Sequence, residues 1–238
     1  LRSSAGPTVP AVLALGLGVL TACTLTVGPS PLETGARTVD PGALEAAGCV
    51  EVEPGDTRNR DHLDPAEAPP ASELYDTDLP AAGPHFGRWS PVIEDLPATP
   101  LDVRALLHNL EHGAVVVWLN PAVLDEGTLG FAEQWRRQLG DAGFDHDDTG
   151  TAVFVSRFPG ELESRSLGEL GRPVGVALRA WGVAVDCDAW DLAAADAFVG
   201  LHYGTRGQAP EAELGPYPHG NGVLVGPPDL DDRVTTTA

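Results

Sequence analysis

The stretch Pro100-Leu101-Asp102-Val103-Arg104-Ala105-Leu106-Leu107-His108-Asn109-Leu110-Glu111-His112-Gly113-Ala114-Val115-Val116-Val117-Trp118-Leu119 changes its apolar period halfway along. Val103, Leu106, Leu107 and Leu110 recur at helical spacing, and Gly113 is a good C-terminal stop. From Ala114 to Leu119 the apolar run is continuous, which reads as a strand buried on both faces. A helix feeding such a strand must lay its leucine stripe on the sheet. His108 and His112 are four residues apart and lie side by side, on the helix face turned away from that stripe.

Working outward, Asn120-Pro121 ends the strand. Thr128–Leu139 reads as an amphipathic helix, Gly140–Gly150 as an acidic loop, Thr151–Phe158 as a second strand and Val174–Trp181 as a third. Asp191–Tyr203 reads as a final helix. The helix between the first two strands permits a right-handed parallel crossover, and the short link between the last two strands permits antiparallel pairing. The expectation is an α+β fold: a small mixed sheet covered by helices, resembling the later part of a thioredoxin-like layout. A ferredoxin-like arrangement is the alternative. No Cys-x-x-Cys is present, so thioredoxin redox chemistry is not implied. Cys49–Thr99 is rich in proline with few apolar runs, and is expected to be long, mostly irregular and wrapped around the core.

The chain has 238 residues, with 35 Asp+Glu against 14 Lys+Arg and a net charge of −21. Every basic residue is Arg. With no basic stripe, nucleic acid and anionic lipid headgroups are excluded as main partners. No G-x-S-x-G elbow and no Gly-rich phosphate loop is present.

Arg2 precedes an apolar run, Val9–Leu20, which leads into Leu20-Thr21-Ala22-Cys23. A basic start, a short apolar core and small residues at a cleavage point read as an export signal. The tetrad resembles the lipobox of bacterial lipoproteins, in which the Cys is lipidated and becomes the new amino terminus. The resulting division is a signal peptide over 1–22, a flexible tether over 23–48, one globular domain over 49–215 and a tail over 216–238. The alternative is an uncleaved anchor, although Pro10, two Gly and three Thr interrupt Val9–Val27. Either reading puts the folded part outside the cytoplasm. With Cys23 acylated, Cys49 and Cys187 remain, and an exported pair tends to be oxidised. Two unpaired buried thiols are the alternative.

The Pro-rich segment is the part of the chain available to cover the imidazole face of the helix, and it carries His62 and His85. Four converging neutral imidazoles would suit zinc or copper(II), and the absence of Met argues against a thioether copper(I) site. The competing reading is that His108 and His112 merely suit the negative end of the helix dipole. His108-Asn109-Leu110-Glu111-His112 also matches the H-x-x-E-H protease pattern, but no downstream second motif accompanies it.

His62, the Tyr75…Leu79-Pro80-Ala81-Ala82-Gly83-Pro84-His85 stretch, His108 to Trp118, Ala180-Trp181-Gly182 and Pro210-Glu211 together resemble an exported bacterial family, the domain of unknown function 3105. The likeness runs from about Cys49 to Glu211. It implies a shared set of His62, His85, His108 and His112 rather than a named reaction. That family's usual disulfide cannot form here: Ser90 stands near the place of one of its cysteines, and the other is missing near Leu214. Cys187 is the substitute partner open to Cys49. His146, His202 and His219 have no counterpart.

Three functions follow as expectations. The first is an exported lipoprotein, anchored to the membrane through lipid, that handles copper or zinc without catalysis. The second is a metal-dependent enzyme using the same cluster with Glu111 as base. The third is a structural or interaction lipoprotein without metal.

Overall fold

The computed structural model describes residues 37–164, 166–167, 171–205, 208–212 and 223–224, all within one compact unit, Leu32–Ala238. Cys23, the signal segment and His219 lie outside the described residues.

The elements in chain order are β1 (Arg37–Thr38), α1 (Ala43–Ala46), β2 (Val50–Glu51), β3 (His62–Leu63), α2 (Ala71–Leu74), β4 (His85–Phe86), α3 (Val103–Glu111), β5 (Val115–Leu119) and α4 (Glu126–Leu139). They continue with β6 (Val153–Arg157), β7 (Ser166–Leu167), β8 (Arg172–Pro173), β9 (Val176–Ala180), β10 (Val183–Cys187), α5 (Leu192–His202) and β11 (Val223–Leu224). The fold is α+β, with a five-stranded mixed sheet in the order β2-β10-β9-β5-β6. β5 and β6 are parallel, with Val115 opposite Val153, and are joined through α4. β9 runs antiparallel to β5 and to β10. From β5 onward this is the thioredoxin-like order read from the element sequence. The closing strands form a hairpin rather than half of a second βαβ unit, so the ferredoxin-like alternative is set aside.

One expectation is corrected. The strands at 153–157 and 176–180 do not pair with each other; β9 crosses to the other side of β5. Its hairpin partner is β10, a strand that the sequence reading missed. The link at Gly182 has a φ of +71°, so the chain reverses directly after Trp181.

The sheet has two buried faces. Val115, Val117 and Leu119 point toward α4 and α5, where Trp135, Leu139 and Phe198 complete the core. Val116 and Trp118 point the other way, toward Leu106, Leu107 and Leu110 of α3 and the Leu79–Ala82 stretch. Each of those α3 leucines is at most 1% exposed, worth roughly 1.5–3 kcal/mol apiece in burial. Asp102 caps α3 by accepting from the Arg104 backbone N–H at 2.9 Å, a contribution of about 1 kcal/mol. At the other end Gly113 takes a φ of +91°, and a Cβ there would lie 3.0 Å from Gly204 Cα. The stop read from sequence is thus both conformational and steric.

Residues 49–99 are largely irregular, as expected. They are fastened to the body by backbone bonds: Val52 N–H to Ala184 O at 2.9 Å and Gly182 N–H to Ala81 O at 3.0 Å. The packed body begins ahead of Cys49, since Val39 and Ala43 are both buried in the core. Cys49 and Cys187 form a disulfide, tying the segment before β2 to the end of β10.

Candidate metal centre

α3 is buried on both faces. Its leucines meet the sheet, while His108, Glu111 and His112 meet the Pro-rich strap; all three are at most 5% exposed. The strap presents its own histidines through a two-residue parallel pairing, β3 with β4, which sets His62 opposite His85. His85 N–H donates to Asp61 O at 2.9 Å and keeps that register. Arg104 holds the strap on α3: its guanidinium donates to Pro69 O and lies 4.6 Å from the Phe86 ring centroid. Asn109, also on α3, accepts from Ser90 N–H and donates to Ser90 O and Gly150 O. Tyr75 hydroxyl donates to Pro84 O at 2.7 Å, and burial raises the Tyr75 pKa well above its ordinary value.

The ring centroids of His62, His85 and His108 lie 4.9 to 5.2 Å apart. Their ligand nitrogens fall within 4.8 Å of one another, a group that could hold a metal ion. His85 and His108 are buried, whereas the His62 side chain is half exposed, so the centre has a solvent-facing side.

Backbone carbonyls fix which nitrogen is available. His85 Nδ1 lies 2.9 Å from Gly83 O, and His108 Nδ1 lies 2.7 Å from Phe86 O. A carbonyl only accepts, so each Nδ1 must carry the proton. In the neutral rings the lone pair therefore resides on Nε2, facing into the cluster. This is how protein second contacts set a metal-ligating tautomer.

Glu111 Oε2 lies 3.0 Å from His85 Nε2 and 3.6 Å from His62 Nε2, with Arg60 at 3.7 Å from Oε1. Burial opposes its ionisation, but the hydrogen bond from His85 and the neighbouring imidazoles outweigh this and hold the carboxyl below its usual range. Burial also pushes His108 down, against the pull of the Phe86 carbonyl.

His112 sits beside this group rather than within it. Its Nε2 is 3.1 Å from His108 Nε2 and 3.2 Å from Glu211 Oε2. Burial lowers its pKa despite the Glu211 and Glu111 carboxylates. Trp89 stands edge-on to His108 and His112, at 5.6 and 5.2 Å. A Cβ on Gly150 would lie 2.6 Å from Trp89 Cγ, so only glycine admits the indole there. His146 and His202 stand outside the cluster: His146 pairs its backbone with Thr151, and His202 Nδ1 meets Gln208 at 2.8 Å.

Glu211 is the residue to which the sequence reading gave no role. Pro210-Glu211 stood out only as part of the family likeness, about a hundred positions from α3. Its backbone N–H also donates to Glu111 O at 2.9 Å, which docks this late segment on the end of the helix.

The centre is thus a helix-borne His and Glu set closed by a strap that brings two further histidines. Residues 70–215, more than half of the chain, match the model of a family described as protein of unknown function (DUF3105), and the chain belongs to that family. No significant match to a curated protein or to a solved structure was found. The disulfide points to an oxidising, extracytoplasmic environment. Among the described residues no helix is long and apolar enough to cross a membrane.

Proposed function

We propose that the protein is an exported lipoprotein, held at the outer face of the cell membrane through Cys23, that binds a zinc or copper ion with His62, His85 and His108. Ion handling rather than a reaction is its role. The observation carrying the reading is the pair of Nδ1–carbonyl bonds, which turn the Nε2 lone pairs of two buried imidazoles into the cluster. All-imidazole donors with a neighbouring carboxylate suit borderline ions such as zinc and copper(II). Glu111 has both oxygens engaged, by Arg60 on one side and by His85 and His62 on the other. This favours a group that orients and neutralises the ion over a free general base.

Metal analysis of the full chain, purified without a His tag and loaded with zinc, is the test. Wild type should retain the ion after dialysis, and His85→Ala/His108→Ala should lose it while keeping its far-ultraviolet circular dichroism. Absence of retained metal in folded wild type would sink the reading. Anchoring is checked separately: Cys23→Ala should abolish lipid labelling.

A further inference from the structure

Two places in the cluster gather metal-ligating atoms. His85 Nδ1 donates to Gly83 O, which turns His85 Nε2 to Glu111 Oε2 at 3.0 Å, and His62 Nε2 lies 3.6 Å from the same oxygen. On the other side, His108 Nδ1 donates to Phe86 O, so His108 Nε2 presents its lone pair to His112 Nε2 at 3.1 Å. His112 Nε2 is also 3.2 Å from Glu211 Oε2. A single N–H on His112 cannot point squarely at both neighbours. Each place offers imidazole nitrogens and a carboxylate oxygen that a cation can take up.

The four spacings run from 3.0 to 3.6 Å. Donor atoms bound at ~2.0–2.2 Å to one tetrahedral or octahedral ion lie about 2.9–3.6 Å apart. Each place also has the same composition, two imidazoles and one carboxylate. That set leaves coordination positions open for water or a small ligand.

We propose that the cluster is a binuclear metal centre, with His62, His85 and Glu111 around one ion and His108, His112 and Glu211 around a second. The inference rests on the metal-binding reading above and deepens it: a second ion takes His108 together with His112 and Glu211, and Glu111 completes the first ion's set with His62 and His85. Four neutral imidazoles and two carboxylates offset half of the charge of two divalent ions. Hydroxide, or a small anionic ligand bridging them on the His62 side, where the cluster meets solvent, would supply the rest. His112 Nδ1 is buried with no hydrogen-bond partner among the described residues, so the ring is placed for what its Nε2 does. Glu211 arrives from a segment remote in sequence, and its own backbone bond to α3 fixes it there independently of any ion.

Metal stoichiometry distinguishes the two levels. The full chain, purified without a tag and with its disulfide intact, is loaded with zinc or copper(II) and dialysed. Two ions per chain are expected. Glu211→Gln and His112→Gln should each fall to one. One ion in wild type, or two ions in both variants, would overturn the second site while leaving the single-ion reading intact; no ion would remove both. Wild type loaded with copper(II) gives a readout that needs no variant. A spin-coupled pair is expected in its electron paramagnetic resonance spectrum, and a spectrum of isolated copper(II) accounting for all the bound metal would refute the pair.

Discussion

Removal of the Cys49–Cys187 bridge should lower stability by about a third or more of what an ordinary domain possesses. The two cysteines are 138 positions apart. Opening a loop of that length releases about 17 cal/mol/K of chain entropy in the unfolded state, roughly 5 kcal/mol at 25 °C. Ordinary domains are stable by about 5–15 kcal/mol. The local setting adds to the loss. Cys187 is 2% exposed within the sheet core, and β2, the strand following Cys49, is a short edge strand that pairs Val50 and Glu51 with Asp186 and Val185. With a urea m-value of about 2 kcal/mol/M, Cys49→Ala/Cys187→Ala should shift the unfolding midpoint down by about 2.5 M. Equilibrium unfolding followed by tryptophan fluorescence, with five Trp as reporters, measures this directly, and reduced wild type should behave like the variant. A shift below about 0.5 M would show that the unfolded chain is already restricted, and would refute the entropic account.

Arg179 is fully buried, pairs with Asp186 at 2.8 Å, and donates to the carbonyls of Leu178, Val185 and Leu79. Arg179→Met should cost about 3–5 kcal/mol by stranding Asp186; thermal unfolding of that variant against Arg179→Met/Asp186→Leu, which should recover part of the loss, checks this. Burial holds the His202 imidazole below its ordinary value of 6.5, with Gln208 pulling weakly the other way. The unfolded chain therefore binds this proton first, so the contribution of His202 is fully present above pH ~6.5 and is lost as pH falls below it. The urea midpoint should accordingly drop between pH 7.5 and 5.5, and by less in His202→Gln; a drop as large in the variant would assign it to other groups.

The helix-to-strand switch at Gly113 was legible because its signals are local: a leucine stripe, a glycine stop and an unbroken apolar run. The imidazole face of α3 followed from the same helical period, and with it the expectation that His62 and His85 come to cover it. β10 was missed because Val183-Ala184-Val185-Asp186-Cys187 carries an acidic residue that is itself buried. Asp186 pairs there with Arg179, seven positions away across the hairpin, a pairing that no periodicity displays. Glu211 was missed for a related reason. Its partner His112 is far away in sequence, and the contact exists only because Gly113 and Gly204 pack closely enough for the late segment to reach the end of α3. Propensity and period report what a residue does to its own element, not what it meets from another.

The strap and the cluster are one structural problem rather than two. β3 and β4 contribute two residues each, and a pairing that short has little stability by itself. Its position comes from the backbone bonds at Ala81, His85 and Ser90 and from the side chains it delivers. On α3 the strap meets Glu111, whose Oε2 lies 3.0 Å from His85 Nε2. Because an open strap lacks His62 and His85, an ion bound only in the closed state stabilises closure by about 2.7 kcal/mol at a hundred times its dissociation constant. Closure energy and ion affinity are then the same free energy, divided between a loop with almost no regular structure and a helix that the sheet already holds rigid.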